Sequence, residues 1–132
     1  MSAPSRGVAV WAILKEIGTD GVRDRVSRHI SFARRVFELT SADERLEPLS
    51  RPTLSICCYR YRAPNTDEST LDNLNTEIAQ RLRIEGIVPS TTRVAGKYAI
   101  RPCFINPRTT IVDVEHMVAR TRAIGDELLR DA

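Results

Sequence analysis

Aromatic residues are scarce in this chain, at 5% of 132 residues. Its core must therefore be built mainly from Val, Ile, Leu and Ala, and there is little material for stacking single-stranded bases. Histidine occurs twice, as His29 and His116, on different predicted helices and without ligand spacing, which argues against a metal site. Cysteine occurs three times, an odd count that suits a reducing compartment. Cys57 and Cys58 are adjacent in a predicted strand and point to opposite faces, so they cannot clamp a metal as a Cys-x-x-Cys pair does. Long apolar runs are missing too. The longest, residues 8–14, falls far short of the roughly 20 residues a spanning helix needs. Lys15-Glu16 follows it and no small-residue cleavage site appears, so no signal peptide is expected. These features predict a cytoplasmic protein with no membrane partner.

Lysine is nearly absent. Of the 20 basic residues only Lys15 and Lys97 are lysines, and the other 18 are arginines. Guanidinium groups suit phosphate and carboxylate recognition. Acidic residues interleave with them throughout, however, and the net charge is only +3. A solvated, mixed-charge surface explains this pattern, and no nucleic-acid partner is expected. The length predicts about one domain, large enough for a real core.

Residues 8–17 have helical spacing, and Gly18 is placed to end that helix. After a break at Thr19-Asp20-Gly21, a second helix is predicted over residues 22–39, with Val22, Val26, Ile30, Ala33 and Phe37 on one stripe. Residues 40–52 are polar, contain Pro48 and Pro52, and read as a loop. Residues 53–61 read as a strand. Ser69-x-x-Asp72 is a capping-box pattern opening a helix that carries Leu71, Leu74, Ile78 and Leu82 and stops at Gly86. Residues 88–94 and 97–105 read as a hairpin closed by Ala95-Gly96. Thr110 then caps a last helix over residues 111–129. The expected fold is α+β: two N-terminal helices followed by a βαββα antiparallel-sheet unit. The predicted division is a helical segment over residues 1–47 and a small α+β domain over residues 48–132. Pro102 cannot donate to a ladder and is expected at a sheet edge or bulge.

No catalytic set closes. There is no G-x-S-x-G, no phosphate-cradling glycine loop and no Ser-His-Asp spacing. Asp126-Glu127 is expected on the exposed part of its helix, and Arg108 sits at a surface corner. Arg101 stands out, being a guanidinium between Ile100 and Pro102 in an apolar strand. It must pair with an acid, reach solvent or grip a carboxylate.

Together these pieces resemble a family. Arg6-Gly7-Val8-Ala9-Val10-Trp11-Ala12, Gly18-Thr19-Asp20-Gly21-Val22, Ala33-Arg34-Arg35 and Leu54-Ser55-Ile56-Cys57-Cys58-Tyr59-Arg60-Tyr61 match in order and spacing. So do Leu74-Asn75, Ser90-Thr91-Thr92, the Gly96 turn, Ile100-Arg101-Pro102-Cys103 and Asn106-Pro107-Arg108-Thr109-Thr110. The set resembles the C-terminal region of group II pyridoxal-phosphate-dependent amino-acid decarboxylases. The resemblance implies the end of a large domain plus the small C-terminal domain of a fold-type-I enzyme, a homodimer that uses pyridoxal 5'-phosphate as electron sink for loss of CO₂. It implies that Arg101 lies at the active-site wall and meets the substrate carboxylate. The family's cofactor lysine sits in a His-Lys pair upstream, and neither lysine here follows a histidine. The chain therefore reads as a truncated paralogue, a split gene's second half or an excised domain. It is expected to carry no catalytic residue, to bind no cofactor alone, and to need a large-domain half or a homologous subunit as partner. A free-standing α+β interaction or regulatory module is the alternative, and an Arg-rich nucleic-acid binder a weaker third.

Overall fold

The computed structural model describes residues 6–131. In chain order the elements are α1 (Arg6–Ala42), β1 (Leu46–Thr53), β2 (Ile56–Tyr61), α2 (Glu68–Ile84), β3 (Ser90–Val94), β4 (Lys97–Arg101) and α3 (Ile111–Arg130). The strands form one antiparallel sheet in the order β1-β2-β4-β3. The helices share one face, with α3 between α1 and α2. This is the expected α+β layering.

The two N-terminal helices run as one element interrupted at Gly18, whose φ of 68° and ψ of 177° lie outside the helical region. Burial along α1 starts late. His29, Phe32, Ala33, Val36 and Thr40 are buried, whereas Val26, on the expected stripe, is 46% exposed. The stripe is rotated because the face that meets β1 and α3 runs through residues 29, 33, 36 and 40. Before the break, Val8, Val10, Trp11, Ile13 and Leu14 are all exposed, Trp11 by 61%.

The loop expected over residues 40–52 is largely strand β1, and the division drawn after residue 47 falls inside it. Pro48 and Pro52 masked the strand in the sequence. They are tolerated because β1 is an edge strand whose register against β2 shifts between Pro48 and Ser50 and again between Ser50 and Thr53. The β3–β4 hairpin turns at Ala95-Gly96, with φ of 49° and 84°, flanked by the Val94↔Lys97 pair. Strand β4 is shorter than expected and ends at Arg101. Pro102 interrupts the ladder, and only the isolated bridge Ile56↔Cys103 and the Phe104 N–H bond to the Ser55 carbonyl continue the pairing.

The expected Ser69–Asp72 capping box does not form. Asp67 is the N-cap and accepts from the Thr70 N–H, while Asp72 accepts the Tyr98 N–H at 2.8 Å and pairs with Arg93 at 2.6 Å. Asp72 thus fastens α2 to the hairpin. At α3 the Thr110–Asp113 capping box is present as expected.

Strand β2 organises the core. Cys57, Tyr59 and Tyr61 point towards the helices and are buried with Ile78, Leu82, Ile100, Val114 and Ile124. The Tyr59 hydroxyl lies 3.0 Å from Thr121 Oγ1, and the Tyr61 hydroxyl donates to Asp126 at 2.6 Å and accepts from Arg45 at 3.0 Å. Both bonds pin α3 to the sheet. Asn75, fully buried on α2, accepts the Tyr61 N–H at 2.7 Å and donates to the Tyr61 carbonyl at 2.9 Å. It substitutes for a strand partner where the ladder ends.

A Cβ on Gly125 would lie 2.3 Å from Cδ2 of Tyr61. Gly125→Ala should therefore destabilise the fold by about 1–3 kcal/mol, read as a lower urea midpoint at unchanged slope. A second outcome concerns the start of α1. Residues 7–14 carry apolar side chains around the whole helix, and an exposed surface of that kind drives association. Light scattering should show concentration-dependent association of the chain that Trp11→Glu reduces; a clean monomer at high concentration would contradict this.

Candidate functional site

The sheet face away from the helices carries the candidate site. Alternation along β2 turns Cys58 and Arg60 to it. Tyr59 pairs with Ile100 on β4, so one step along the same register sets Arg60 opposite Ala99 and Cys58 opposite Arg101, consistent with the Ile56↔Cys103 bridge. Ser90 of β3 pairs with Arg101 from the other side. Two arginines therefore lie on one face, in contrasting surroundings.

Arg60 is 2% exposed and fully matched. Its Nε donates to Glu47 Oε2 at 2.7 Å, and its two terminal nitrogens grip Glu68 at 2.7 and 3.1 Å. Lys97 donates to the other oxygen of Glu47 at 2.9 Å. The cluster is two cations against two carboxylates. Burial pushes the Glu47 carboxyl up, but the bonds from Lys97 and Arg60 outweigh it and hold the group below the usual glutamate range. The bond from Arg60 holds Glu68 low as well.

Arg101 is half-buried at the end of β4 rather than in mid-strand. Its Nε donates to Ser90 Oγ at 3.2 Å, and Ser90 Oγ donates to the Arg101 carbonyl at 2.8 Å. Among the described residues, no carboxylate lies within 4 Å of its guanidinium. The acid partner that a mid-strand arginine invites is absent from this group's surroundings. A charge-assisted bidentate bond to an incoming carboxylate is the chemistry left open to it.

A cleft of about 600 Å³ lies at the end of the sheet, between the residues around Val88, the corner after β4 and the start of α3, and neither Arg60 nor Arg101 lines it. Ser90, Cys103, Arg108, Asp113 and His116 are among its lining. The corner is held by α1: Arg28 donates to the Pro107 carbonyl at 2.7 Å, and His29 Nε2 lies 3.2 Å from the Asn106 carbonyl. Arg108 is exposed there, as the sequence suggests. A groove of about 650 Å³ between α1 and α3 has its charges matched internally, Arg35 to Glu115 at 2.7 Å and Arg122 to Asp43 at 3.2 Å.

The remaining sequence candidates are scattered. Cys57 lies in the core, its thiol pushed up to about 12 by burial, while Cys58 faces the other way and Cys103 is exposed. Asp126 is half-buried against Tyr61 rather than on a free surface. Lys15 lies on the exposed start of α1, with Nζ 6.0 Å from the Trp11 ring. Among the described residues no three His, Cys, Asp or Glu side chains cluster as metal ligands, and no helix is long and apolar enough to cross a membrane. Sequence reasoning passed over Arg60. The signal was present, since Arg60 stands between two tyrosines in a strand, the same pattern that singles out Arg101.

The layering of three helices on one face of a four-stranded antiparallel sheet is that of the C-terminal domain of pyridoxal-phosphate-dependent decarboxylases. An Oryza sativa TDC crystallised with PLP and tryptamine superposes over 93% of the chain with a TM-score of 0.84 at 20% identity, using 27% of that chain. In sequence, 3,4-dihydroxyphenylacetaldehyde synthase of Aedes aegypti is 33% identical over 94% of the chain, and tryptophan decarboxylase 2 of Oryza sativa subsp. japonica is 27% identical over 92%. No protein-family model matches the chain. The chain spans about a quarter of the length of these relatives, 22% and 24% respectively. It is similar to the C-terminal region of group II pyridoxal-phosphate-dependent amino-acid decarboxylases.

The pairing of Arg60 predicts acid lability. Glu47 and Glu68 hold protons less tightly in the folded chain than in the unfolded one, so unfolding takes up protons as pH falls. The cluster's contribution is complete above the ordinary glutamate value near 4.5 and is lost as pH drops through the lower folded values. At pH 7, Arg60→Met should cost about 1–3 kcal/mol, the worth of its charge-assisted bonds, by leaving Glu47 with Lys97 alone and Glu68 without its partner, and adding Glu47→Gln should recover part of it. Urea midpoints between pH 3 and 7 should fall less steeply for Arg60→Met than for the wild type. Parallel curves would remove the cluster from the acid response.

Proposed function

We propose that the chain serves as the C-terminal portion of a pyridoxal-phosphate-dependent carboxy-lyase that converts an amino acid to an amine and CO₂. In this reading Arg101 stands at the active-site wall and binds the substrate carboxylate. The observation that carries it is the contrast on the sheet face: Arg60 is neutralised by two glutamates, whereas Arg101 is held by a hydroxyl and keeps its charge for an outside anion. The sheet with the helices packed on it acts as the small domain, and because a division after residue 47 would cut β1, the boundary is better set at the Gly18 break; a large-domain half or a second subunit covers the exposed start of α1. The family's homodimeric assembly and a cytoplasmic setting complete the reading, the latter suited to three free thiols.

The lysines of this chain do not fit the cofactor. An internal aldimine needs an amine in a cleft that orients the ring and binds its phosphate. Lys97 is tied to Glu47 at 2.9 Å within the Arg60 cluster, and Lys15 lies on an open helix surface. The groups that hold pyridoxal phosphate therefore belong to the rest of the enzyme, and the isolated chain is inactive.

This is tested by incubating the chain with pyridoxal phosphate, reducing with borohydride, and mapping adducts by mass spectrometry beside a CO₂ assay. Only scattered, substoichiometric labelling and no CO₂ release are expected. A single stoichiometric adduct on Lys15 or Lys97, with turnover abolished by its replacement with Arg, would overturn the reading.

A further inference from the structure

We infer that Ser90 is the positioning residue of Arg101, and that it selects which edge of the guanidinium meets a carboxylate. The inference rests on the reading of Arg101 as the carboxylate-binding group. Ser90 and Arg101 are direct cross-strand partners at the open end of the β3–β4 hairpin. The Ser90 hydroxyl has one proton, and it is committed to the Arg101 carbonyl at 2.8 Å. That bond fixes the hydroxyl rotor, and a lone pair of the same oxygen accepts the Arg101 Nε–H at 3.2 Å. One oxygen thus ties the backbone of Arg101 to its own side chain.

The consequence is geometric. A guanidinium can grip a carboxylate through its Nε/Nη edge or through its two Nη groups. With Nε–H taken by Ser90, the end-on edge formed by the two Nη groups is left for the ligand. The anchor is neutral, so it orients the cation without cancelling it, unlike the two glutamates on Arg60. Neighbours limit other poses. Cys58 lies opposite Arg101 across β2 and is buried, and Pro102 behind it is buried as well. The side chain is therefore held at the strand end rather than free to sweep across the face. Losing the anchor frees the χ angles of a long side chain, and ordering them again weakens each carboxylate contact.

The experiment uses the 132-residue chain and sodium acetate as the carboxylate probe, followed through the arginine Nε–Hε resonances in ¹⁵N-edited NMR. The Arg101 resonance, assigned by its loss in Arg101→Lys, should be slowed in solvent exchange in the wild type and in Ser90→Thr, which keeps the hydroxyl. It should exchange freely in Ser90→Ala. Acetate affinity, read in every variant from the backbone amide shifts of β3 and β4, should fall about three- to tenfold in Ser90→Ala, the size expected for one hydrogen bond, and should be restored in Ser90→Thr. Amide spectra and the thermal midpoint should match across these variants. Ser90→Ala binding acetate as the wild type does, while Arg101→Lys loses the site, would overturn the positioning role alone. Arg101→Lys binding as the wild type does would instead overturn the carboxylate-binding reading beneath it. Loss of affinity in Ser90→Thr equal to that in Ser90→Ala would also refute the role of the hydroxyl.

Discussion

A guanidinium enclosed as fully as that of Arg60 has to be met by negative charge, and that requirement fixes the placing of three elements. Strand β1 supplies Glu47 directly opposite in the ladder, α2 supplies Glu68 at its first residue, and β4 contributes Lys97 through the free oxygen of Glu47. Each carboxylate is an unsatisfactory partner for any other register. A slip of one residue along β1 would put Glu47 on the helix face and leave the cation buried and unpaired. The cluster thus adds specificity to a sheet whose apolar pattern is diluted by two prolines in β1 and four polar residues in β3.

The opposite side of β2 solves a different problem. Tyr59 and Tyr61 present large rings with polar tips to α3, and the helix answers with Thr121 and Gly125, one turn apart on one face, and with Asp126 beside Gly125. Gly125 allows the close approach and the two polar residues satisfy the hydroxyls. Burial pushes the Tyr61 hydroxyl up to about 12, with Asp126 reinforcing the shift. This keeps the phenol protonated as the donor in its 2.6 Å bond to Asp126.

The start of α3 and the β3–β4 hairpin are legible in the sequence because their causes are local. Thr110 and Asp113 are three residues apart, and Ala95-Gly96 is a two-residue turn. The capping residue of α2 was misread because Asp67 and Ser69 both satisfy the local pattern, and Asp72 was claimed by a backbone N–H of β4 that no local rule reveals. Strand β1 was missed because prolines forbid a central strand but not an edge, and edge position is a property of the assembled sheet. The same limit governed the arginines. Arg60 and Arg101 look alike in sequence, each a guanidinium in an apolar strand. Only the ladder shows that one lies between two glutamates and the other beside a serine.

Two surfaces of the chain are unfinished in different ways. On the sheet face Arg60 is matched by Glu47 and Glu68, whereas Arg101 is held by the Ser90 hydroxyl alone among the described residues. The start of α1 is apolar around its full circumference over residues 7–14, a pattern that a single flat contact cannot satisfy. Here that stretch is exposed, and the 37-residue α1 carries it well away from the buried stretch that begins at His29. Before the Gly18 break the large apolar side chains of the helix are exposed, and only its second half joins the sheet's own core. The hydrogen bonds from Arg28 and His29 to the corner after β4 then acquire a further meaning. They tie the start of the buried stretch of α1 to the corner that follows Arg101, so the same helix that packs on the sheet also fixes the segment leaving the end of β4.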